Sequence, residues 1–355
     1  MSEDDLKSFI EQVSGGAHLR VEDDLGNGFV RLRVEEAERR QAKHDIRCIE
    51  DVVVELLRNA RDAGAKSIYL ATTRDGDVRL ITVVDDGSGI PANLQKLVFE
   101  PRVTSKLESM VVDEWGVHGR GMALYSIKSN VTNARVIASG EGLGTALSVE
   151  ADVTALPEKA DQSSFPILDR DDQGRIHVAR GPHNILRLAV EFALLHRRDP
   201  DIYLGSPSEI AATLLDQGHR QVSTDTLFFC DNVAELPVSQ RLALSADAAE
   251  LMTNAAGIGL PISERTAHRI LVKQIQPLKS LYEQVKSRNV RHAPADLSRD
   301  NRSLKLAKED IEAFSREMES AFDLLADRYY LSLSDTPKVS VKGDVITVRF
   351  PIEKD

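Results

Sequence analysis

The succession of hydrophobic periods between residues 45 and 150 constrains this chain more than any other feature. A helical pattern runs from about Glu35 to Asp62, and its second half places Ile46, Ile49, Val53, Leu56 and Leu57 on one stripe. Gly64 follows where a helix C-cap residue belongs. Two runs then read as strands, Ser67–Thr72 and Val78–Val84, turned by Arg74-Asp75-Gly76-Asp77. A glycine-rich loop, Asp85–Pro91, leads through a short helix to the stretch Arg102–Gly116 and then to a helix over Met122–Ser129. Strands over Ala134–Ser139 and Thr145–Glu150 close the unit, joined by Gly140-Glu141-Gly142-Leu143-Gly144. Helix, hairpin, loop, helix, hairpin predicts an α+β fold: an α/β sandwich whose mixed sheet is covered on one face by helices. The order excludes a doubly wound parallel sheet, which alternates strand and helix.

Beyond residue 155 the texture changes. Residues 156–182 are polar, with Pro157, Pro166 and the run Asp169-Arg170-Asp171-Asp172, and read as a linker or an exposed strand pair. Residues 183–335 read as a mainly helical domain. Its helices are expected over Asn184–Leu195, Ser206–Leu215, Ala246–Ala256, Ser263–Arg288 and Glu309–Leu325, with a sharp break at Gly257–Pro261 and a kink or split from Pro277. Residues 336–355 end as a hairpin, Lys338–Val341 with Val345–Phe350. A length of 355 residues is ordinary for two domains.

A net charge of -11 argues against nucleic acid bound over the whole surface. One stretch is locally basic: Arg265, Arg269, Lys273, Lys279, Lys286, Arg288 and Arg291. Residues 263–291 are therefore the expected face for a DNA or protein partner, against the ordinary reading of a solvated helix. The two cysteines, Cys48 and Cys230, match no zinc or redox spacing and are expected to be buried and reduced. The acidic start Met1-Ser2-Glu3-Asp4-Asp5 is unlike a signal peptide, and no apolar run is long enough to span a bilayer. The expectation is a cytoplasmic chain with no membrane partner.

Four segments carry chemistry. In Glu55-Leu56-Leu57-Arg58-Asn59-Ala60-Arg61-Asp62-Ala63, Glu55, Asn59 and Asp62 share one helical face. An amide oxygen can ligate Mg2+, and a carboxylate one turn away can orient or deprotonate a water. In Asp85-Asp86-Gly87-Ser88-Gly89-Ile90-Pro91, a carboxylate at a strand end can accept from an exocyclic amine such as adenine's, and the glycines let backbone approach a ring. In Thr104-Ser105-Lys106, Lys106 can neutralise phosphate and Thr104 can donate near the base. In Gly116-Val117-His118-Gly119-Arg120-Gly121-Met122, three glycines run into a helix start, an anion site. Taken singly these read as a solvated face, a plain turn, nothing at all and a hinge. Their order and spacing are what chance does not supply. The sequence G-x-x-x-x-G-K-[ST] is absent, so this is not a P-loop protein.

Residues 45–152 resemble the GHKL superfamily of gyrase B subunits, Hsp90, histidine kinases and MutL, whose nucleotide domain is the Bergerat fold. The resemblance implies an ATP-binding domain over residues 1–155, with ATP and Mg2+ as cofactors. It implies Glu55 as the base that activates water, Asn59 as the Mg2+ ligand and Asp85 as the adenine reader. Gly87 and Gly89 would shape the pocket, and Gly116, His118, Gly119 and Gly121 would lie at the phosphates, with Thr145 near the adenine. Asp62, Ala63, Ile90, Thr104, Lys106, Arg120 and Met122 complete the implied nucleotide-contacting set. E-L-x-x-N-x-x-D-A-G-A and Thr-Ser-Lys are similar to MutL, and G-x-H-G-x-G to gyrase B. Phe99-Glu100-Pro101 is similar to histidine kinases. His44 reads as part of the same helix as Asn59, so it could not swing into the site, and a typical sensor kinase is disfavoured. The implied function is an ATP-hydrolysing conformational switch, with dimerisation on ATP and a role in a DNA transaction as its extensions. The alternatives are a histidine-kinase-like signalling protein and a partner-binding module with structural ATP.

Overall fold

The computed structural model describes residues 21–32, 44–104, 111–113, 116–118, 121–171, 173–197, 199–222, 232–288, 308–329, 331–342 and 345–354. The chain divides into two compact units, residues 1–292 and 293–355.

In the first unit β1 (Val21–Gly26) and β2 (Phe29–Leu32) form a hairpin that precedes α1 (Ile49–Asp62). The hairpin β3 (Ser67–Asp75) and β4 (Val78–Asp85) follows. The short β5 (Val103–Thr104) pairs with β2, and β6 (Val111–Asp113) pairs with β7 (Gly116–His118). Then come α2 (Ala123–Asn130), β8 (Asn133–Ser139) and β9 (Thr145–Asp152). β10 (Ile167–Arg170) and β11 (Ile176–Arg180) make a two-stranded sheet, the exposed-pair alternative for the expected linker. After them run α3 (Ile185–His196), β12 (Asp201–Gly205), α4 (Pro207–Gln221), α5 (Ala248–Ala256), α6 (Glu264–Leu271) and α7 (Leu281–Ser287).

The central sheet has the order β12-β3-β4-β9-β8. Its β3–β4, β4–β9 and β8–β9 pairs are antiparallel, and β12 lies parallel to β3. The sheet is mixed, as expected. Its strands alternate between two cores. Ile68, Leu70, Ile81, Val83, Leu147 and Val149 face the Ile49, Val52, Val53, Leu56, Leu57 stripe of α1, together with α3 and Leu281 and Val285 of α7. Tyr69, Ala71, Val84 and Ala146 face the other way, onto Ile210 and Leu214 of α4 and onto α5 and α6. Helices α4, α5 and α6 therefore cover the face that α1, α3 and α7 leave bare, so the sheet is covered on both faces rather than on the one expected. Thr82 fastens this second layer to the sheet, its hydroxyl donating to the Gly259 carbonyl at 2.7 Å.

Capping explains where several helices begin. Ser206 and Glu209 form a capping box at α4, Asn184 caps α3, and Ser263 and Ser280 cap α6 and α7. The pattern over Ser263–Arg288 is split, one of the two outcomes expected from Pro277: the first helix stops at Leu271, and Lys273 takes a left-handed φ of 58°. One expected helix is corrected. The pattern from Glu35 is broken, because Ile46–Cys48 are non-helical and extended Cys48 caps α1. His44 is therefore not on the helix that carries Asn59. Residues 35–43 lie outside the described ones, as does Cys230. Cys48 is half-buried rather than buried, and burial pushes its thiol up to about 11.

In the second unit α8 (Lys308–Tyr329) precedes β13 (Leu331–Leu333), β14 (Lys338–Lys342), β15 (Val345–Arg349) and β16 (Ile352–Lys354). β14 and β15 form the expected hairpin, and β13 pairs with β16. Phe322 of α8 stacks on Phe350 with ring centroids 5.3 Å apart. Among the described residues no helix is long and apolar enough to cross a membrane.

Candidate functional site

The polar side of α1, the end of β4 and the start of β9 meet through backbone. Asp85 is the last residue of β4, and its register partner on β9 is Thr145. Asp85 is only 6% exposed. Burial drives its carboxyl up to about 7, although N–H groups of Gly87 and Thr145 point at it and partly offset that effect. Gly87 donates to Asp85 Oδ1 at 2.9 Å. Adjacent Asp86 is structural. Its Oδ1 accepts from the N–H groups of Lys66 and Ser67 at 2.7 and 2.9 Å, tying the start of β3 to the loop.

Two glycines in this corner allow backbone to touch backbone. At Gly89, with φ of +73°, a Cβ would stand 1.8 Å from the Gly140 carbonyl oxygen. At Gly144, with φ of +76°, it would stand 2.1 Å from the Asp85 carbonyl oxygen. The loop after β4 is thereby seated on the β8–β9 loop, where Gly142 donates to the Ser88 carbonyl at 2.7 Å. Ser139, absent from the residues expected at the site, is the hub. Its hydroxyl accepts from the Ile90 N–H at 2.7 Å, donates to the Gly144 carbonyl at 2.8 Å and lies 3.1 Å from the Thr145 hydroxyl. A serine ending a strand carries no local signal of such a role.

Helix α1 joins the corner at its C-terminal end. The Ala63 carbonyl accepts from the Ser88 N–H at 2.9 Å, and a Cβ on Gly87 would press on Ala63. Glu55, Asn59 and Asp62 lie along α1 as the spacing predicted. The Asn59 Nδ2 is buried and has no hydrogen-bond partner among the described residues. A buried amide left this way is uncommon. It fits a site completed by a ligand: the nitrogen can donate to a phosphate or water oxygen, or the amide, turned over, can present its oxygen to a cation. Both carboxylates are engaged by arginines, Glu55 by Arg58 at 2.5 Å and Asp62 by Arg61 at 2.8 Å.

The remaining expected contacts are placed only in part. Gly121 turns the chain with φ of 66° into Met122, whose carbonyl accepts from the Ser126 N–H at 2.8 Å in the first turn of α2. Helix α2 packs beside α1. Gly116 and His118 are the ends of β7, and Thr104 pairs with Val30. Lys106, Gly119 and Arg120 lie outside the described residues. Among the described residues no group of three or more His, Cys, Asp or Glu is placed to hold a metal ion.

A family model described as histidine kinase-, DNA gyrase B-, and HSP90-like ATPase matches residues 44–155, the segment that carries this corner. Residues 44–155 are a GHKL ATPase domain. Over part of its length this domain is homologous to MutL-family proteins. It is 49% identical over 78 residues to a DNA mismatch repair protein MutL from Chelativorans sp. (strain BNC1), 22% of this chain and 12% of that one. It is 40% identical over 102 residues to MutL from Parabacteroides distasonis, covering 28% of this chain and 16% of that protein. It is 40% identical over 85 residues to MutL from Thermus aquaticus, covering 24% and 15%. The match thus spans less than a fifth of these relatives, and the similarity lies in the ATPase domain rather than in a whole protein.

Proposed function

We propose that the GHKL domain binds Mg-ATP and hydrolyses it to drive a conformational switch. The supporting observation is the buried carboxyl of Asp85, set at a strand end between glycines that admit no side chain. A carboxylate there accepts the exocyclic amine of adenine, with Gly87, Gly89, Ile90 and Thr145 walling the base. Asn59 ligates magnesium, and Asp62 and Ala63 stand at the same end of α1. Gly116, His118, Gly119, Arg120, Gly121 and Met122 meet the phosphates, aided by Thr104 and Lys106. When bound, magnesium neutralises phosphate charge. Glu55 accepts the proton of the attacking water. Residues 102–121 close over the nucleotide, and two chains pair while it is bound. Glu55→Ala should lower ATP turnover about a hundredfold while leaving uptake of a non-hydrolysable analogue nearly intact. Equal turnover in the two proteins would reject hydrolysis by this residue.

A DNA transaction is the second part of the proposal. Arg265, Arg269, Lys273, Lys279, Lys286 and Arg288 are all exposed on and between α6 and α7. Such a run suits a phosphate backbone. Charge reversal at Lys273, Lys279 and Lys286 should weaken binding of duplex DNA and flatten the dependence of log K on log salt by about 3. An unchanged slope would assign this stretch to a solvated surface.

A further inference from the structure

Arg58 is a deeply buried charge on α1 that binding and hydrolysis of the nucleotide leave unused. One turn beyond Glu55, it is 4% exposed, whereas the Glu55 side chain is 20% exposed. Its Nη1 donates to Glu55 Oε1 at 2.5 Å, a short charge-assisted bond. An exposed pair at this helical spacing would contribute little and settle nothing. A buried one differs, because charges removed from water attract more strongly, and a second anion nearby lowers the cost of parting them. The neighbouring residues repeat the arrangement. Arg61 donates to Asp62 Oδ1 through Nε at 3.0 Å and through Nη2 at 2.8 Å. Its guanidinium lies 5.8 Å from the Phe192 ring centre, and Nη1 lies 3.5 Å from His196 Nε2. Both carboxylates on the face proposed to meet water and metal are thus held by arginines of their own helix. Asn59, between them, keeps a buried amide nitrogen with no partner among the described residues.

We propose that Arg58 is a brake on turnover, holding the Glu55 carboxylate in a guanidinium pair that must open before hydrolysis. This rests on the ATP-hydrolysing reading above. In the step concerned, the water oxygen bonds to the γ-phosphorus and the bond from phosphorus to the β–γ bridging oxygen breaks. The electron pair of that bond leaves with ADP, and the water proton passes to Glu55. The lone pair that Arg58 engages on Oε1 is one the proton would otherwise reach. A triphosphate arriving beside α1 supplies the alternative anion that lets the guanidinium let go, so release of the brake is tied to occupancy. Arg58 acts through Glu55 and is a positioning residue.

The test measures kcat at saturating Mg-ATP, and the Kd of a non-hydrolysable ATP analogue, on the full chain. Arg58→Met, close in length and uncharged, should raise kcat by about fivefold to tenfold, with the analogue Kd within about twofold of wild type. Arg58→Lys keeps the charge and should restore slow turnover. In a Glu55→Gln background, Arg58→Met should bring no gain. Thermal melts accompany each variant, and Arg58→Gln substitutes if the methionine protein does not fold. Analogue uptake intact with kcat unchanged or lowered in the folded variants overturns the brake and leaves the ATPase reading standing. A wild-type chain that takes up no analogue overturns both.

Discussion

Above neutral pH, nucleotide-free Asp85→Asn should be more stable than the wild type, by a gap that opens as pH rises from 3.8 to about 7 and then stays level. Unfolded, the Asp85 carboxyl ionises near its ordinary 3.8; folded, burial keeps the proton on until about 7. Below 3.8 both states are protonated and the group's contribution to stability is fully present. Between 3.8 and 7 the unfolded chain gives up its proton first, so that contribution falls as pH rises. Beyond the folded value it is lost. At about 1.4 kcal/mol per pH unit, the wild type should lose on the order of 2 kcal/mol from this group between about pH 5.5 and 8. Asparagine keeps the neutral shape at every pH and should lack this component. Denaturant melts of both proteins across that window read the difference directly. A variant less stable than wild type throughout would contradict the burial argument. The same substitution should cripple nucleotide uptake by on the order of a thousandfold, because a site built around one polar contact rejects a partner it cannot satisfy. The stability gain and the binding loss together would mark a group retained for binding at the expense of the fold.

Alanine at Gly89 or Gly144 should unfold the corner. Each substitution meets two penalties at once: a left-handed backbone that a Cβ disfavours, and a carbonyl oxygen at 1.8 Å or 2.1 Å from that Cβ. The obstructing atoms are backbone, so no side chain can swing aside. Losses above about 4 kcal/mol are expected, together with loss of nucleotide uptake. Gly142 is the internal control. Its φ is +72°, but a Cβ there would meet nothing within 4 Å. Gly142→Ala should cost only about 1 kcal/mol and leave uptake intact. Chemical denaturation of the three variants separates strain from collision, and equal losses at all three would show that collision contributes nothing.

Part of the site was legible because its signals are local. Glu55, Asn59 and Asp62 fall on one face through helical spacing alone, and Asp85 sits at a strand end because Val78–Val84 runs straight into it. The dependence of Gly89 and Gly144 on close approach was not legible in the same way. Their neighbours are Gly140 and Asp85, brought near only when β9 pairs with β4 and the two loops stack. Ser139 was illegible for the same reason, since its partners Ile90 and Thr145 come from two different segments. Arg58 was in plain view within the motif, yet its burial depends on packing. The break within Ser263–Arg288 was legible as a kink or split at Pro277, whereas the exact stop at Leu271, with Lys273 in a left-handed φ, was not.

The sequence alone determined the alternation of helix and hairpin and the spacing that marks residues 44–155 as a GHKL domain. These follow from periodicity and motif order, which are properties of neighbours along the chain. The tertiary structure alone decided which of Asp85 and Asp86 is buried, that β12 joins the sheet in parallel, that α4, α5 and α6 cover the sheet's second face, and that Glu55 is paired with a buried Arg58. Burial arises from residues distant in sequence, and it decides what even a short-range pair such as Glu55–Arg58 is worth. Local pattern sets what each segment can become, and desolvation in the assembled core sets what each charge can do.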